Sequence, residues 1–291
     1  MSIRDFINSE TNILCLIGHP IKHSMSPIMH NVALQNLGLN YVYLAFDITP
    51  DRLKNAINSF KTLDIKGINV TIPHKETIIQ YLDEIEPSAE KIGAINSIKN
   101  EDGRLIGKNT DTIGAKLALK DTGFKLKSKN VMIIGAGGAA KAISYSLGEE
   151  IDQVLILNRT KSRALKLAEI IAENYNLKVE GKELTNAILK KEIENIDLLI
   201  NTTPIGMYPN IDNSPIQKEF IHEDLFVFDI IYNPLETKLI KDAKDIGCKT
   251  LGGLDMLINQ GALAFEWWTG KKPNKILMKN KVKELLESEK C

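Results

Sequence analysis

The 291-residue sequence contains only three cysteines, and they are scattered as Cys15, Cys248 and Cys291. Small secreted domains are held together by many paired cysteines, so an odd and scattered set argues against a disulfide framework. Cysteine use of this kind is typical of a reducing compartment, and we expect the protein in the cytoplasm.

An excess of charge of one sign is also missing, because 37 lysines and arginines balance 37 aspartates and glutamates. No global field therefore draws the chain to nucleic acid or to an anionic membrane, and we expect neither partner. No apolar run approaches the length of a membrane span, and the first five residues lack a signal-peptide layout. What remains is a globular composition of 43% hydrophobic and 25% charged residues, long enough for about two domains.

The most informative stretch is residues 130–163, which reads as strand, glycine turn, helix and strand. The turn fits G-x-G-x-x-G/A through Gly135, Gly137 and Ala140. The glycines permit a tight turn and a close approach of a pyrophosphate, while the small third residue allows close packing of helix and strand. The following helix offers free N–H groups to phosphates. This context predicts a dinucleotide-binding site and not a turn with a purely structural role. The predicted cofactor-binding residues of the turn are Gly135, Ala136, Gly137, Gly138, Ala139 and Ala140.

The tip of the second strand indicates which dinucleotide binds. An NAD site usually has an acidic residue here for the ribose 2′-hydroxyl, whereas this chain has Asn158, Arg159 and Thr160, with Arg163 one turn later. Guanidinium groups match a 2′-phosphate and cannot accept a hydrogen bond from a hydroxyl, so the sequence favours NADP over NAD.

The remaining chain alternates predicted strands and helices, which favours open, largely parallel sheets. The predicted strands at 95–98 and 104–108 are joined by a predicted turn at Asp102-Gly103. Residues 176–195 give no clear pattern. The predicted elements are strands at 13–17, 41–46, 67–73, 95–98, 104–108, 197–201, 225–230 and 249–251, and helices at 26–37, 49–63, 74–82, 84–92, 111–119, 161–175, 237–246, 254–269 and 274–286.

Polar residues follow several of these strands, where open α/β sheets bind ligands. Asn69 and Thr71 alternate along one predicted strand and so share a face. Ser26 and Asp111 can also be plain helix caps, and Lys75 an ordinary surface lysine. A lysine and an aspartate at neighbouring strand ends can form a proton-transfer pair. Cys15, His19 and His23 do not share a helical face because of Gly18 and Pro20, and we expect no metal site.

Together these blocks resemble the shikimate dehydrogenase family over nearly the whole chain. The resemblance rests on eight ordered motifs: GHPIKHSMSP (18–27), NVTIPHK (69–75), GAIN (93–96), GKNTD (107–111), GAGGAA (135–140), NRT (158–160), NTTPIGM (201–207) and GLDMLINQ (253–260).

The resemblance implies reversible, NADP-linked reduction of 3-dehydroshikimate to shikimate in aromatic amino-acid (chorismate) biosynthesis. It implies Lys75 and Asp111 as the catalytic pair, which also contacts the substrate. It further implies substrate contacts from Ser24, Ser26, Asn69, Thr71, Asn96, Tyr232 and Gln260. Cofactor contacts are expected from the glycine turn, from Asn158, Arg159, Thr160 and Arg163, and from Thr202, Ile230 and Gly253.

The implied architecture is α/β, with an N-terminal domain built on an open, mixed, mostly parallel sheet and a Rossmann-like NADP-binding domain, separated by a cleft. We expect the substrate domain at residues 1–110, completed by helices in 254–291, and the dinucleotide domain at 111–253. Family members include monomers and dimers, so a homodimer is one expected state. The alternatives are an NAD-using quinate/shikimate dehydrogenase, another two-domain Rossmann reductase such as a folate-type dehydrogenase, or a non-catalytic NADP sensor on the same fold.

Overall fold

The computed structural model describes residues 7–288, which form two compact units. One unit extends to Asp111 and resumes at Ile258, and the other is Thr112–Leu257. The cysteine set and the N-terminal sequence were used above to predict the compartment. Of these residues, Cys291 and the first five lie outside the described part of the chain.

The strands are β1 (Asn12–Gly18), β2 (Tyr41–Asp47), β3 (Gly67–Val70), β4 (Glu84–Ile85), β5 (Ser97–Glu101), β6 (Arg104–Lys108), β7 (Asn130–Ile134), β8 (Gln153–Asn158), β9 (Lys178–Glu183), β10 (Leu198–Asn201), β11 (Phe226–Asp229) and β12 (Lys249–Leu251). The helices are α1 (Ser26–Asn36), α2 (Leu53–Thr62), α3 (Pro87–Ile92), α4 (Asp111–Asp121), α5 (Gly138–Leu147), α6 (Lys161–Asn174), α7 (Asn186–Glu192), α8 (Lys238–Ile246), α9 (Leu254–Thr269) and α10 (Lys275–Ser288).

The first unit contains a mixed six-stranded sheet in the order β2-β1-β3-β5-β6-β4. β1 is parallel to β2 and β3, whereas β5 is antiparallel to both of its neighbours. The β5–β6 turn contains Asp102 and Gly103 at φ 51° and 87°. Two successive positive φ values are typical of a tight hairpin turn, which confirms the turn predicted at this dipeptide.

The second unit contains a fully parallel sheet in the order β12-β11-β10-β7-β8-β9. Counted within the unit, this is the Rossmann order 3-2-1-4-5-6. Alternate strand residues enter two cores: Val131 and Ile133 pack on one face of the sheet, Met132 and Ile134 on the other. Helices cover both faces, as buried parallel strands require. The predicted α/β fold class is confirmed.

Several local predictions were wrong in their bounds. The strand predicted to Pro73 ends at Val70, and the His74 N–H donates to the Thr71 carbonyl in a turn. The predicted helix at 74–82 is a short 3₁₀ segment, Thr77–Tyr81. The predicted helix at 84–92 begins instead as β4, because pairing with β6 outweighs local helix propensity.

Two further details near predicted site residues also differ. Ser26 is the first residue of α1, whose N-cap is Met25, so Ser26 is not the predicted cap. Asn96 precedes β5 and does not lie within a strand. The undefined stretch 176–195 forms β9 and α7, with the Thr185 side chain capping α7 by accepting from the Ile188 N–H. Among the described residues, no helix is long and apolar enough to cross a membrane.

Gly67 on β3 provides a local test of packing in the first unit. A Cβ placed on Gly67 would lie 2.6 Å from the Trp268 ring. That ring is buried, and its Nε1–H donates to the Ile98 carbonyl at 2.9 Å, so it cannot move aside without losing this bond.

We predict that Gly67→Ala lowers the free energy of unfolding by roughly 1–3 kcal/mol, the usual cost of overpacking a core. Urea unfolding followed by circular dichroism measures the change. Gly252→Ala is the matched control, because its Cβ would meet only the Leu235 carbonyl at an ordinary 3.4 Å. Equal stability of Gly67→Ala and wild type would contradict the packing argument.

Candidate active site

A largely buried ion pair joins the two predicted catalytic residues. Lys75 Nζ donates to Asp111 Oδ2 at 2.6 Å, and the two side chains are only 16% and 6% exposed. Lys75 follows the turn after β3, and Asp111 opens α4. A lysine ammonium has three N–H donors. One donor is used by Asp111, so the group remains able to donate to a substrate oxygen.

The second oxygen of Asp111 is held by an amide. Asn96 Nδ2 donates to Asp111 Oδ1 at 2.8 Å, so Lys75 and Asn96 bind different oxygens of the carboxylate. The backbone N–H of Asp111 donates to Asn109 Oδ1 at 3.0 Å. These bonds fix both the position and the rotation of the carboxylate.

Asn96 is the branching point of the network. Its Nδ2 also lies 2.9 Å from Thr110 Oγ1 and 3.3 Å from Gln260 Oε1, while its Oδ1 accepts from the Thr110 N–H at 2.7 Å. Gln260 is contributed by α9, so a C-terminal helix reaches this cluster within the same unit. The predicted residues Lys75, Asp111, Asn96 and Gln260 are therefore brought together.

Asn69 joins the same network from β3. Its Nδ2 donates to the Asn96 carbonyl and to Ser97 Oγ, both at 3.1 Å. Its Oδ1 accepts from the Tyr43 hydroxyl at 2.7 Å. Tyr43 and Ser97 were not predicted as site residues.

Ser24, Ser26 and Thr71 lie in the same unit. Ser24 Oγ accepts from the Ser26 N–H at 3.2 Å, which ties the loop after β1 to the start of α1. Thr71 is half-buried, and its methyl group occupies the space that a Cβ on Gly18 would need. Thr71 lies one residue beyond the end of β3, and its N–H still donates to the Ile17 carbonyl of β1 at 2.9 Å. No described contact joins these three residues to Lys75 or Asp111.

The second unit carries the predicted cofactor residues, starting with the glycine turn between β7 and α5. Gly135 has φ +117°, and a Cβ there would collide with Thr202 Oγ1, whose hydroxyl donates to the Ile134 carbonyl at 2.7 Å. A Cβ on Gly137 would meet open space, and no side chain within residues 7–288 caps the N-terminus of α5. An open backbone face before an uncapped helix N-terminus suits the oxygens of a pyrophosphate. The turn therefore fits a dinucleotide.

The end of β8 presents two exposed arginines. Arg159 and Arg163 are both exposed, and neither forms an ion pair among residues 7–288. Asn158 Nδ2 donates to the Thr160 carbonyl at 3.0 Å, which shapes the turn that carries Arg159. These two guanidinium groups, which form no ion pair within the described residues, follow the strand that pairs with β7. Such a pair suits a phosphate monoester.

A buried carboxylate organises the ends of β10 and β11. Asp229 accepts from Asn201 Nδ2 at 3.1 Å, from Thr237 Oγ1 at 2.7 Å and from the Ile231 N–H at 3.2 Å. Burial raises the pKa of Asp229 to about 6, with these three donors opposing the shift. The group thus holds the segment that carries Ile230 and Tyr232.

The backbone after β12 approaches the same segment closely. The Gly253 N–H donates to the Ile231 carbonyl at 3.0 Å, and a Cβ on Gly253 would collide with the Ile230 carbonyl group. Glycine is therefore required here to bring residues 230 and 253 together. Tyr232 lies in this second unit, half-buried after β11.

Three sequence models match the chain in succession. They are described as the shikimate dehydrogenase substrate binding domain (residues 16–98), shikimate / quinate 5-dehydrogenase (116–244) and the shikimate 5'-dehydrogenase C-terminal domain (253–283). The shikimate dehydrogenase (NADP(+)) of Methanocaldococcus jannaschii is 53% identical over 277 residues, which are 95% of this chain and 98% of that protein.

The chain belongs to the shikimate dehydrogenase family.

Solved structures of the family agree with the fold. A crystal structure of a shikimate dehydrogenase in complex with NADP+ is 49% identical, with a TM-score of 0.89 and coverage of 96% of this chain and 97% of that one. The shikimate 5-dehydrogenase of Thermus thermophilus, in complex with NADP(H) and shikimate, is 37% identical, with a TM-score of 0.84 and coverage of 94% and 99%. The family resemblance read from the sequence motifs is confirmed.

Sequence reasoning missed several buried polar residues of the cluster. Ser97 and Thr110 are fully buried and bond to Asn96, and Tyr43 supports Asn69. Ser97 directly follows the predicted residue Asn96, and Thr110 directly precedes the predicted residue Asp111. This adjacency to two motifs of the family was the signal that could have identified them. Tyr43 lies in an apolar strand, where the sequence pattern predicts a core residue.

The buried Asp229 carboxyl allows a prediction on pH and stability. Its pKa is 3.8 in an ordinary setting and about 6 in the fold. The folded state therefore binds the proton more tightly, so the contribution of Asp229 to stability is largest below about pH 4 and is lost as the pH rises towards 6. Asp229→Asn removes this dependence.

We expect the unfolding free energy of Asp229→Asn relative to wild type to rise by about 1 kcal/mol between pH 5 and pH 8. Urea titrations of both proteins at the two pH values measure it. Asp245→Asn is the control, since this exposed carboxylate has a lowered pKa because of Lys218. A relative stability of Asp229→Asn that falls over this range would contradict the assignment.

Proposed function

We propose that this chain catalyses the reversible, NADP-dependent reduction of 3-dehydroshikimate to shikimate, an oxidoreductase step in aromatic amino-acid biosynthesis. The observation that carries the proposal is the buried Lys75–Asp111 pair, surrounded by neutral amides and hydroxyls, in a chain of the shikimate dehydrogenase family. A small polyhydroxylated ring needs many hydrogen-bond partners of this kind. A site built from such groups also rejects analogues that lack a hydroxyl.

Lys75 is the residue we assign to proton transfer. When bound, the nicotinamide supplies a hydride for the ketone carbon. The oxygen of that ketone gains negative charge, and Lys75 Nζ donates a proton to it; in the oxidation direction Lys75 accepts the proton from the hydroxyl. Asp111 keeps the amino group oriented through its 2.6 Å bond.

The neutral residues of the first unit are assigned to the substrate. Asn69 and Asn96 lie in one hydrogen-bonded cluster with Lys75, and Ser24, Ser26 and Thr71 supply further hydroxyl groups in the same unit. Gln260 extends this cluster through its contact with Asn96, and Tyr232 is assigned to the substrate by family resemblance. The N-terminal unit with its C-terminal helices is thus the substrate domain.

NADP is assigned to the second unit. The turn Gly135–Ala140 and the N-terminus of α5 would hold the pyrophosphate, and Arg159 and Arg163 the 2′-phosphate. Asn158 and Thr160 shape the arginine turn. Thr202, Ile230 and Gly253 complete the proposed contacts, supported by the close backbone approaches at Gly135 and Gly253.

The compartment and the oligomeric state belong to the same proposal. The buried Cys15 and Cys248 are free thiols, which supports a reducing cytoplasm. A homodimer is one expected state, and sedimentation velocity would distinguish it from a monomer.

Reduced-nicotinamide absorbance, recorded with shikimate or quinate and with NADP or NAD, tests the activity. We expect turnover with shikimate and NADP. The NAD-linked quinate enzyme and the non-catalytic sensor are not favoured by the NADP-dependent relatives. Absence of turnover in all four combinations would reject the proposal.

We predict that Lys75→Ala lowers kcat by about 10²–10⁴-fold, because proton transfer is typically worth this much. The KM for NADP should stay unchanged. Lys99→Ala is the matched control: Lys99 lies on the same sheet and is also ion-paired, with Glu101, but is outside the cluster. Near-normal turnover by Lys75→Ala would remove this residue from the mechanism.

Arg159→Ala tests the cofactor assignment. Loss of a charge-assisted hydrogen bond to the 2′-phosphate, worth about 1.5–3 kcal/mol, should raise the KM for NADP by roughly 10–100-fold. The KM for NAD should change little, because NAD lacks this phosphate. Arg104→Ala, which removes an exposed arginine of the other unit, is the control. Equal increases for NADP and NAD would show that Arg159 does not bind the phosphate.

A further inference from the structure

Tyr43 lies on β2 and its ring is buried next to the proposed substrate cluster. Its side chain is 1% exposed, and its hydroxyl donates to Asn69 Oδ1 at 2.7 Å. No step of the proposed reaction uses Tyr43, and no sequence motif drew attention to it.

Helix α1 holds Tyr43 from two directions. Asn31 binds the Tyr43 backbone twice, since Asn31 Nδ2 donates to the Tyr43 carbonyl at 2.8 Å and Asn31 Oδ1 accepts from the Tyr43 N–H at 2.9 Å. The His30 ring stacks on the Tyr43 ring, with centroids 4.3 Å apart and planes 5° apart. Burial lowers the pKa of His30 to about 3, so the stacked ring is neutral at physiological pH.

The orientation of the Asn69 amide follows from its partners. The Asn96 carbonyl can only accept a hydrogen bond, so the group 3.1 Å from it must be the Asn69 nitrogen. Both Nδ2 hydrogens are used, one by this carbonyl and one by Ser97 Oγ. Asn69 can therefore serve a ligand only as an acceptor, through Oδ1, the atom that the Tyr43 hydroxyl also binds.

We infer that Tyr43 is a positioning residue that fixes Asn69 Oδ1 as the acceptor for one substrate hydroxyl. This inference rests on the proposed function. The Tyr43 hydroxyl holds the carbonyl end of Asn69, while Ser97 and the Asn96 backbone hold its nitrogen end. Substrate affinity then depends on Tyr43, although Tyr43 does not contact the substrate.

Tyr43→Phe removes only the hydroxyl and keeps the stacked ring. A neutral hydrogen bond is worth about 0.5–1.5 kcal/mol, so we expect the KM for shikimate to rise by roughly 2–10-fold. The kcat and the KM for NADP should remain at the wild-type level, because Lys75, Asp111 and the cofactor unit are untouched. A merely structural role would lower the unfolding free energy without this selective change in the KM for shikimate.

Tyr175→Phe is the matched control. The Tyr175 hydroxyl also makes a part-buried bond to a carbonyl, that of Tyr145 at 2.8 Å, but in the other unit. This variant should keep the wild-type KM for shikimate. A double-mutant cycle gives the decisive readout: in an Asn69→Ala background, Tyr43→Phe should have no further effect on that KM.

The outcomes separate the inference from the function on which it rests. If wild type turns over and Tyr43→Phe leaves the KM for shikimate unchanged, the inference is overturned and the function stands. Full additivity with Asn69→Ala, or equal effects on the KM of shikimate and NADP, would also overturn it. A wild type that does not oxidise shikimate would overturn both.

Discussion

The hydrogen-bonded cluster of the first unit is built around one buried carboxylate, that of Asp111. A charge removed from water is costly unless it is paired and hydrogen-bonded. Lys75 binds one of its oxygens and Asn96 the other, and the backbone N–H is bound by Asn109. Removing any of these partners would leave a buried charge incompletely compensated. The hydrogen bond that compensates this carboxylate therefore also orients the Lys75 amino group.

Sheet topology explains why residues distant in sequence meet at this carboxylate. The β5–β6 hairpin pairs Ser97 with Lys108, so the residues before β5 and after β6 lie side by side. Asn96 therefore reaches Asp111 across 15 residues of chain. The antiparallel pairing of β3 with β5 sets Asn69 opposite Ser97 in the same way. In a fully parallel sheet, the start of β5 would lie at the opposite end of the sheet from the ends of β3 and β6. The antiparallel pairing of β5 with both neighbours is therefore what brings these residues together.

The parts that sequence could predict are those encoded within one short segment. The glycine turn between β7 and α5 and the Asp102-Gly103 turn carry their backbone requirement locally, and both have the predicted conformation. The predicted strand failed beyond Val70 because a turn closed by the His74 N–H and the Thr71 carbonyl follows it. The predicted helix start at residue 84 failed because strand pairing outweighs local propensity. The Tyr43–Asn69 bond could not be predicted, because β1 lies between β2 and β3 and the contact depends on strand order.

Under the proposed function, the two units recognise their ligands by different physics. In the first unit the proposed substrate contacts are mostly buried amides and hydroxyls beside the Lys75–Asp111 pair, so a missing substrate hydroxyl would leave a desolvated partner unpaired. In the second unit the phosphate-binding groups are backbone N–H donors and the exposed Arg159 and Arg163, whose attraction is screened by salt. Selectivity for the ring therefore derives from geometry that must be built before binding, whereas selectivity for the phosphorylated cofactor derives from charge. Buried positioning residues such as Tyr43 are needed only for the first kind of recognition.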